Sequence, residues 1–132
     1  ILDTVTIPEG IGKVIAGGPM MGKAMSNLNC YNVKGMSSLL LMDEKESKRA
    51  EVTACLRCGK CVYGCPMGLQ PVLIATLSEK GRWEDCEANG IMNCCECGSC
   101  SFTCPAARPL TDFIRLGKNK TGAMIRSRSQ KK

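Results

Sequence analysis

Histidine is absent from the 132 residues, and aromatic side chains are scarce: one Trp, two Tyr and two Phe. Without imidazole, mixed Cys/His zinc sites are excluded and the commonest general base is missing. With so few rings, a core has to be assembled from Leu, Ile, Val, Met and Ala. Long apolar runs are also lacking. Leu39 to Met42 and Val72 to Ala75 are the longest, far short of the roughly 20 residues that span a bilayer, so a soluble chain is expected. The opening Ile1-Leu2-Asp3-Thr4 has neither the basic segment nor the apolar run of a secretory signal. It also lacks an initiator Met, and the expectation is a fragment of a longer protein. A dinucleotide loop is missing as well: Gly10-x-Gly12 and Gly17-Gly18 have neither the spacing nor the strand–turn–helix setting.

Charge is present but unevenly placed. The formal net charge is +6. Residues 108–132 hold eight of the eighteen basic residues and a single acid, Asp112, while residues 1–107 hold ten basic and eleven acidic residues. The basic stretch 118–132, with Lys118, Lys120, Arg126, Arg128, Lys131 and Lys132, reads as a tail that is disordered, docks on a partner or touches anionic lipid. It offers no aromatic beyond Phe113 for stacking bases, and nucleic acid is not an expected partner.

Cysteine is what the sequence has in excess: eleven residues, close to the level of a disulfide scaffold or a metal protein. An odd count and no secretory signal favour metal-bound thiolates in a reducing compartment. The cysteines form a duplication. Cys55-x2-Cys58-x2-Cys61-x3-Cys65-Pro66 recurs as Cys94-x2-Cys97-x2-Cys100-x3-Cys104-Pro105. Each run leads into apolar residues at helical spacing. Leu69, Val72, Leu73, Ile74, Ala75 and Leu77 predict a helix over 71–80 stopped by Gly81. Leu110, Phe113, Ile114 and Leu116 predict a second one stopped by Gly117. Pro71 and Pro109 stand near the helix starts, where a missing N–H costs nothing.

This spacing is the ligation pattern of bacterial two-cluster ferredoxins. A cubane has four irons, each requiring one outside thiolate. Three Cys at steps of three converge from one tight coil around one face, and the fourth iron needs a ligand from elsewhere. In two-cluster ferredoxins the fourth Cys of each run serves the other cluster. The expected ligands are therefore Cys55, Cys58, Cys61 and Cys104 for one [4Fe–4S] cluster and Cys94, Cys97, Cys100 and Cys65 for the other. Gly59 and Gly98 allow backbone N–H groups to approach the sulfurs. With two such sites, each adding about −2, the net charge falls well below its formal value, which weakens any nucleic-acid reading. Four-thiolate zinc is the main alternative, but zinc sites pair two C-x2-C knuckles and have no need of the third and fourth Cys. Cys30 and Cys86 read as small buried hydrophobes. Only Cys94 keeps the step to Cys97, so the adjacent Cys95 is not assigned as a ligand.

The 29 positions from Cys65 to Cys94 hold a helix, and Trp83 reads as a packing anchor. The expected fold is mainly α: an alpha-helical dicluster ferredoxin domain over 47–117. It follows a short α/β or β-rich remnant of a larger upstream domain over 1–46 and precedes the basic tail 118–132. Within the remnant, Val5 to Ile7 and Lys13 to Ala16 read as strands, Pro8-Glu9-Gly10 as a turn and 17–22 as a glycine-rich loop. Ser38 to Met42 reads as a strand or helix start, and the charged 43–49 as a solvated linker or first helical turn.

Several segments beyond the cysteines carry a resemblance. They are Ile15-Ala-Gly-Gly-Pro-Met-Met-Gly22, Val33-Lys34-Gly35, Cys55-Leu-Arg-Cys-Gly-Lys-Cys61, Met67-Gly-Leu-Gln-Pro71, Cys97-Gly-Ser-Cys100, Arg108-Pro109-Leu110 and Ile114-Arg-Leu-Gly-Lys118. Together they resemble the C-terminal part of the C subunit of the Rnf electron transport complex. The resemblance implies a peripheral subunit on the cytoplasmic face of the inner membrane. Its complex couples electron flow between ferredoxin and NAD to ion movement, with other subunits, ferredoxin or a flavin domain as partners. It places FMN and NAD(H) in the upstream domain alone, so this stretch would relay electrons without being catalytic by itself. Iron–sulfur modules of cobalamin reductase, glycolate oxidase or heterodisulfide reductase type are the alternatives, followed by a zinc-binding nucleic-acid module.

Overall fold

The computed structural model describes residues 6–31 and 33–130. The chain divides into two compact units, residues 1–50 and 51–132. The described residues combine a three-stranded antiparallel sheet with six α-helices. The sheet is confined to the first unit and the second is built from helices, so the whole chain is a mixture rather than mainly helical.

In the first unit, β1 (Ile11–Ala16) is the central strand, flanked by β2 (Lys23–Ala24) and β3 (Leu39–Asp43) in the order β2-β1-β3. Ile15 stands opposite Ala24 on one side and Leu40 on the other, and Val14 is buried. The glycine-rich segment makes the reversal from β1 to β2. The Gly22 N–H donates to the Gly18 carbonyl at 2.8 Å, and a Cβ at Gly22 would strike the Ile15 side chain. The charged stretch is a helical turn. Asp43 caps α1 (Glu44–Ser47) by accepting the Glu46 N–H at 2.7 Å. Of the strand expected over Val5 to Ile7, Val5 lies outside the described residues, while Thr6 and Ile7 belong to no strand.

The second unit contains α2 (Lys60–Tyr63), α3 (Pro71–Glu79), α4 (Trp83–Ala88), a 3-10 turn (Ile91–Asn93), α5 (Ser99–Phe102) and α6 (Leu110–Gln130). Its core joins Ile74, Ala75 and Leu77 of α3 to Leu110 and Ile114 of α6, with Cys86, Ile91 and Cys100 filling in. Helix α3 ends as its sequence suggests, with Gly81 left-handed just beyond it.

The stop expected at Gly117 does not occur. Helix α6 runs through it to Gln130. A Cβ at Gly117 would collide with the Ser78 hydroxyl and lie 2.8 Å from the Ile91 side chain. This glycine is where α6 crosses closely over α3. The basic tail is therefore helix, not disordered chain, as far as Gln130; Lys131 and Lys132 lie outside the described residues. Arg128 pairs with Glu87 of α4, and Thr121, fully buried, donates to the Trp83 carbonyl at 3.4 Å.

Candidate metal centre: two four-thiol cavities

The two cysteine runs fold alike, and the likeness begins in the backbone. The Cys55 sulfur accepts the Arg57 N–H at 3.4 Å, and the Cys94 sulfur accepts the Glu96 N–H at 3.4 Å. The donating residues, Arg57 (φ 54°) and Glu96 (φ 57°), are both left-handed, so the two loops turn alike. Gly59 (φ 73°) and Gly98 (φ 83°) then start the single-turn helices α2 and α5, which carry Cys61 and Cys100. After each Cys-Pro the chain turns again. Gly68 N–H donates to the Cys65 carbonyl and Ala107 N–H to the Cys104 carbonyl, both at 3.1 Å.

These turns bring the thiols together in two groups. One cavity, about 430 Å³ in volume, is lined by Cys55, Cys58, Cys61 and Cys104, with Leu56, Val72, Leu73 and Leu110 among its apolar walls. The other, narrower at about 20 Å³, is lined by Cys65, Cys94, Cys97 and Cys100, with Leu69, Ile74 and Ile114. Each cavity takes three thiols from one run and the last cysteine of the other run. Exposure differs between them. Cys55 and Cys58 are exposed, whereas Cys100 is buried and Cys65, Cys94 and Cys97 are half-buried. Among the described residues no three Cys, Asp or Glu side chains converge on one ion-sized point; the thiols ring a space instead.

Burial pushes the Cys61 and Cys94 thiols above the usual thiol range, with Lys118 partly opposing the rise at Cys94. Hydrogen bonding to Ser99 brings Cys97 below that range. The Cys97 thiol lies 3.4 Å from the Ser99 hydroxyl, and Cys100 lies 3.6 Å from Thr111 Oγ1. Glu96 sits between two cations of α6, Arg115 at 3.2 Å and Lys118 at 3.3 Å. Lys118 also donates to the Cys94 carbonyl at 2.6 Å.

Of the remaining cysteines, Cys86 is buried and bonded to Ser78 at 3.5 Å. Cys30 is only half-buried and lies 3.7 Å from the Asn27 carbonyl, so it is not the core residue expected. Cys95 is exposed and lines the narrower cavity as a fifth thiol. The sequence reading missed Thr111, Lys118 and the Glu96 cluster. Superposing the two halves at their common offset would have flagged them as positions where the halves differ.

No protein-family model matches the chain. It is 48% identical over 115 residues to the C subunit of the Na(+)-translocating ferredoxin:NAD(+) oxidoreductase complex of Acetobacterium woodii, covering 87% of this chain and 26% of that protein. It is 42% identical over 112 residues to the C subunit of the proton-translocating ferredoxin:NAD(+) oxidoreductase complex of Clostridium ljungdahlii, covering 84% and 24%. It is 43% identical over 108 residues to the C subunit of an ion-translocating oxidoreductase complex of Rhodobacter capsulatus, covering 82% and 21%. The chain thus spans about a quarter or less of these relatives, matching a C-terminal part of them. Among the described residues no helix is long and apolar enough to cross a membrane.

Proposed function

We propose, from the chain's homology to part of the C subunit of ion-translocating ferredoxin:NAD(+) oxidoreductase complexes, that residues 51–132 form an alpha-helical dicluster ferredoxin module that passes single electrons. Cys55, Cys58, Cys61 and Cys104 hold one [4Fe–4S] cluster, and Cys94, Cys97, Cys100 and Cys65 hold the other. The observation that carries this reading is the lining of the two cavities, each with four thiols contributed crosswise by the two runs. The donor set fits, because thiolates are the ligands such clusters take. Thiols that ring a space suit a polynuclear cluster better than a zinc ion, whose four sulfurs would stand about 3.8 Å apart at a Zn–S distance of about 2.3 Å. The narrower cavity has to widen to be filled.

When bound, each cluster supplies a one-electron couple. The protein's own work is to hold and insulate. The thiolates fix position, the Arg57 and Glu96 N–H groups donate to ligand sulfurs, and Leu69, Ile74 and Ile114 shield the narrower site from water. No residue at either site is arranged for proton transfer.

The first unit belongs, in this reading, to the end of an upstream domain that binds FMN and NAD(H), and residues 118–132 remain a basic extension of the module. The flavin domain or ferredoxin would exchange electrons with it, and other subunits would hold it peripherally on the cytoplasmic side of the membrane. Engagement of Arg128 and Lys118 in ion pairs within the unit argues against a tail devoted to nucleic acid.

Anaerobic iron and sulfide analysis with EPR of the dithionite-reduced chain tests this. About eight iron and eight sulfide per chain, with signals broadened by two interacting spins, is expected. Stoichiometric zinc without sulfide, reproduced in protein from its native host, overturns it.

A further inference from the structure

The two sites differ in what touches their ligand sulfurs. The halves of the duplication superpose in sequence at an offset of 39, which carries Cys55 onto Cys94 and Cys65 onto Cys104. At that offset Thr111 corresponds to Val72, Ser99 to Lys60 and Lys118 to Glu79. Val72 and Glu79 offer neither a hydroxyl nor a positive charge, and Lys60 does not line the wider cavity. At these positions the narrower site has hydroxyls and a cation set against its cysteines; the cations lining the wider cavity, Arg57 and Arg108, stand at other positions, and Arg108 is paired with Glu79 at 3.7 Å.

Ionisation of the ligand sulfurs decides which way these hydroxyls point. Ser101 Oγ accepts the Thr111 N–H at 2.9 Å and lies 2.8 Å from Thr111 Oγ1. That N–H takes one of the two Ser101 lone pairs, so either hydroxyl can donate in the Ser101–Thr111 bond. Thr111 Oγ1 also lies 3.6 Å from Cys100 Sγ. A cluster-bound thiolate has no proton, so Thr111 is the only possible donor in that contact. The Cys97 thiol donates to Ser99 Oγ at 3.4 Å; a cluster-bound Cys97 has no proton to give, and Ser99 then has to turn its hydroxyl to donate instead. In the other cavity the lining hydroxyl, Thr76, is occupied by the Val72 carbonyl at 2.8 Å.

We propose that Thr111, Ser99 and Lys118 are potential-setting residues that raise the reduction potential of the Cys65/Cys94/Cys97/Cys100 site and so offset its deeper burial; this rests on the two-cluster reading above. Reduction takes one electron from an external donor and adds one negative charge to a site already near −2. It moves no proton and makes or breaks no bond in the protein. Burial penalises that added charge. Hydroxyls that donate to the ionised sulfurs and an ammonium on the Cys94 carbonyl stabilise it, and they act more strongly where water is excluded. Glu96 works in the opposite direction, but Arg115 and Lys118 flank its carboxylate and leave a positive surplus. The open site, with Cys55 and Cys58 exposed, has water to do the same task.

The test is a mediator-poised redox titration, followed by EPR, of the cluster-loaded chain and three variants. Thr111→Val copies the residue of the other half, and Ser99→Ala removes the second hydroxyl. Each should make reduction of one cluster harder by about tenfold, or about 59 mV for one electron, and leave the other cluster where it was. Val72→Thr should shift the other cluster the opposite way. Full iron and sulfide in all variants with unmoved potentials would overturn the inference and leave the two-cluster reading standing. Absence of iron and sulfide from the unmutated chain would overturn both. A Thr111→Val chain that fails to load leaves Ser99→Ala and Val72→Thr to decide.

Discussion

Ala107 sits in the left-handed region at φ 49°, where its counterpart in the other half is Gly68 at φ 64°. A left-handed Ala costs about 1–2 kcal/mol, more than the 0.5–1 kcal/mol or so that glycine loses in chain entropy. Ala107→Gly should therefore stabilise the apo-protein by about 0.5–1 kcal/mol, and Gly68→Ala, with open space around its Cβ, should cost a similar amount. Urea denaturation reads both, and a destabilised Ala107→Gly would refute the strain. Thiols give a second prediction. Burial raises Cys61 and Cys94, so the folded apo-protein holds those protons after the unfolded chain has released them. That stability is complete below the ordinary thiol range and is lost as pH rises through it. Cys97, lowered by Ser99, contributes the other way, its stability lost as pH falls through its lowered value. The net expectation is a falling denaturation midpoint on the alkaline side, measured anaerobically, with Ser99→Ala weakening the opposing trend. The grouping of the cysteines around two cavities was legible residue by residue, because it follows from the spacing within the two runs. Ser99, Thr111 and Lys118 were not, because hydroxyls and cations obey no spacing rule until the fold brings them beside a cysteine.

At the scale of elements, the most informative error concerns Gly117. Glycine is favoured both at a helix end and where two helices cross closely, and a sequence window cannot separate the two. Gly81 proved to be the first kind. Gly117 is the second, seated against Ser78 and Ile91. Gly117→Ala is expected to cost about 1–3 kcal/mol by overpacking and to lower the thermal midpoint, with Ser78→Gly in the same chain recovering part of the loss. A neutral Gly117→Ala would mean that α3 and α6 have slack between them. The sheet was half legible. Lys13 to Ala16 and Ser38 to Met42 are too short for periodicity to reveal their partners, and Thr6 and Ile7, the described part of the strand expected over Val5 to Ile7, belong to no strand.

For the molecule as a whole, the crossed lining of the cavities makes a sharp prediction. Cys104 stands in the second run yet lines the cavity of the first. Cys104→Ser should therefore disturb the cluster of Cys55, Cys58 and Cys61, and leave a signal that still responds to Thr111→Val. If the surviving signal ignores Thr111→Val, each run ligates its own cluster and the crossing is wrong. The crossing also orders events in time. As the chain is synthesised, the first three thiols of the leading run wait, while Cys65 belongs to a set whose other members do not yet exist. That set is complete only when Cys100 has been added, and the leading set only at Cys104. Both nests therefore close almost together, late in this stretch of translation. A ribosome stalled before Cys100 would hold a chain from which neither four-thiol cavity can be completed.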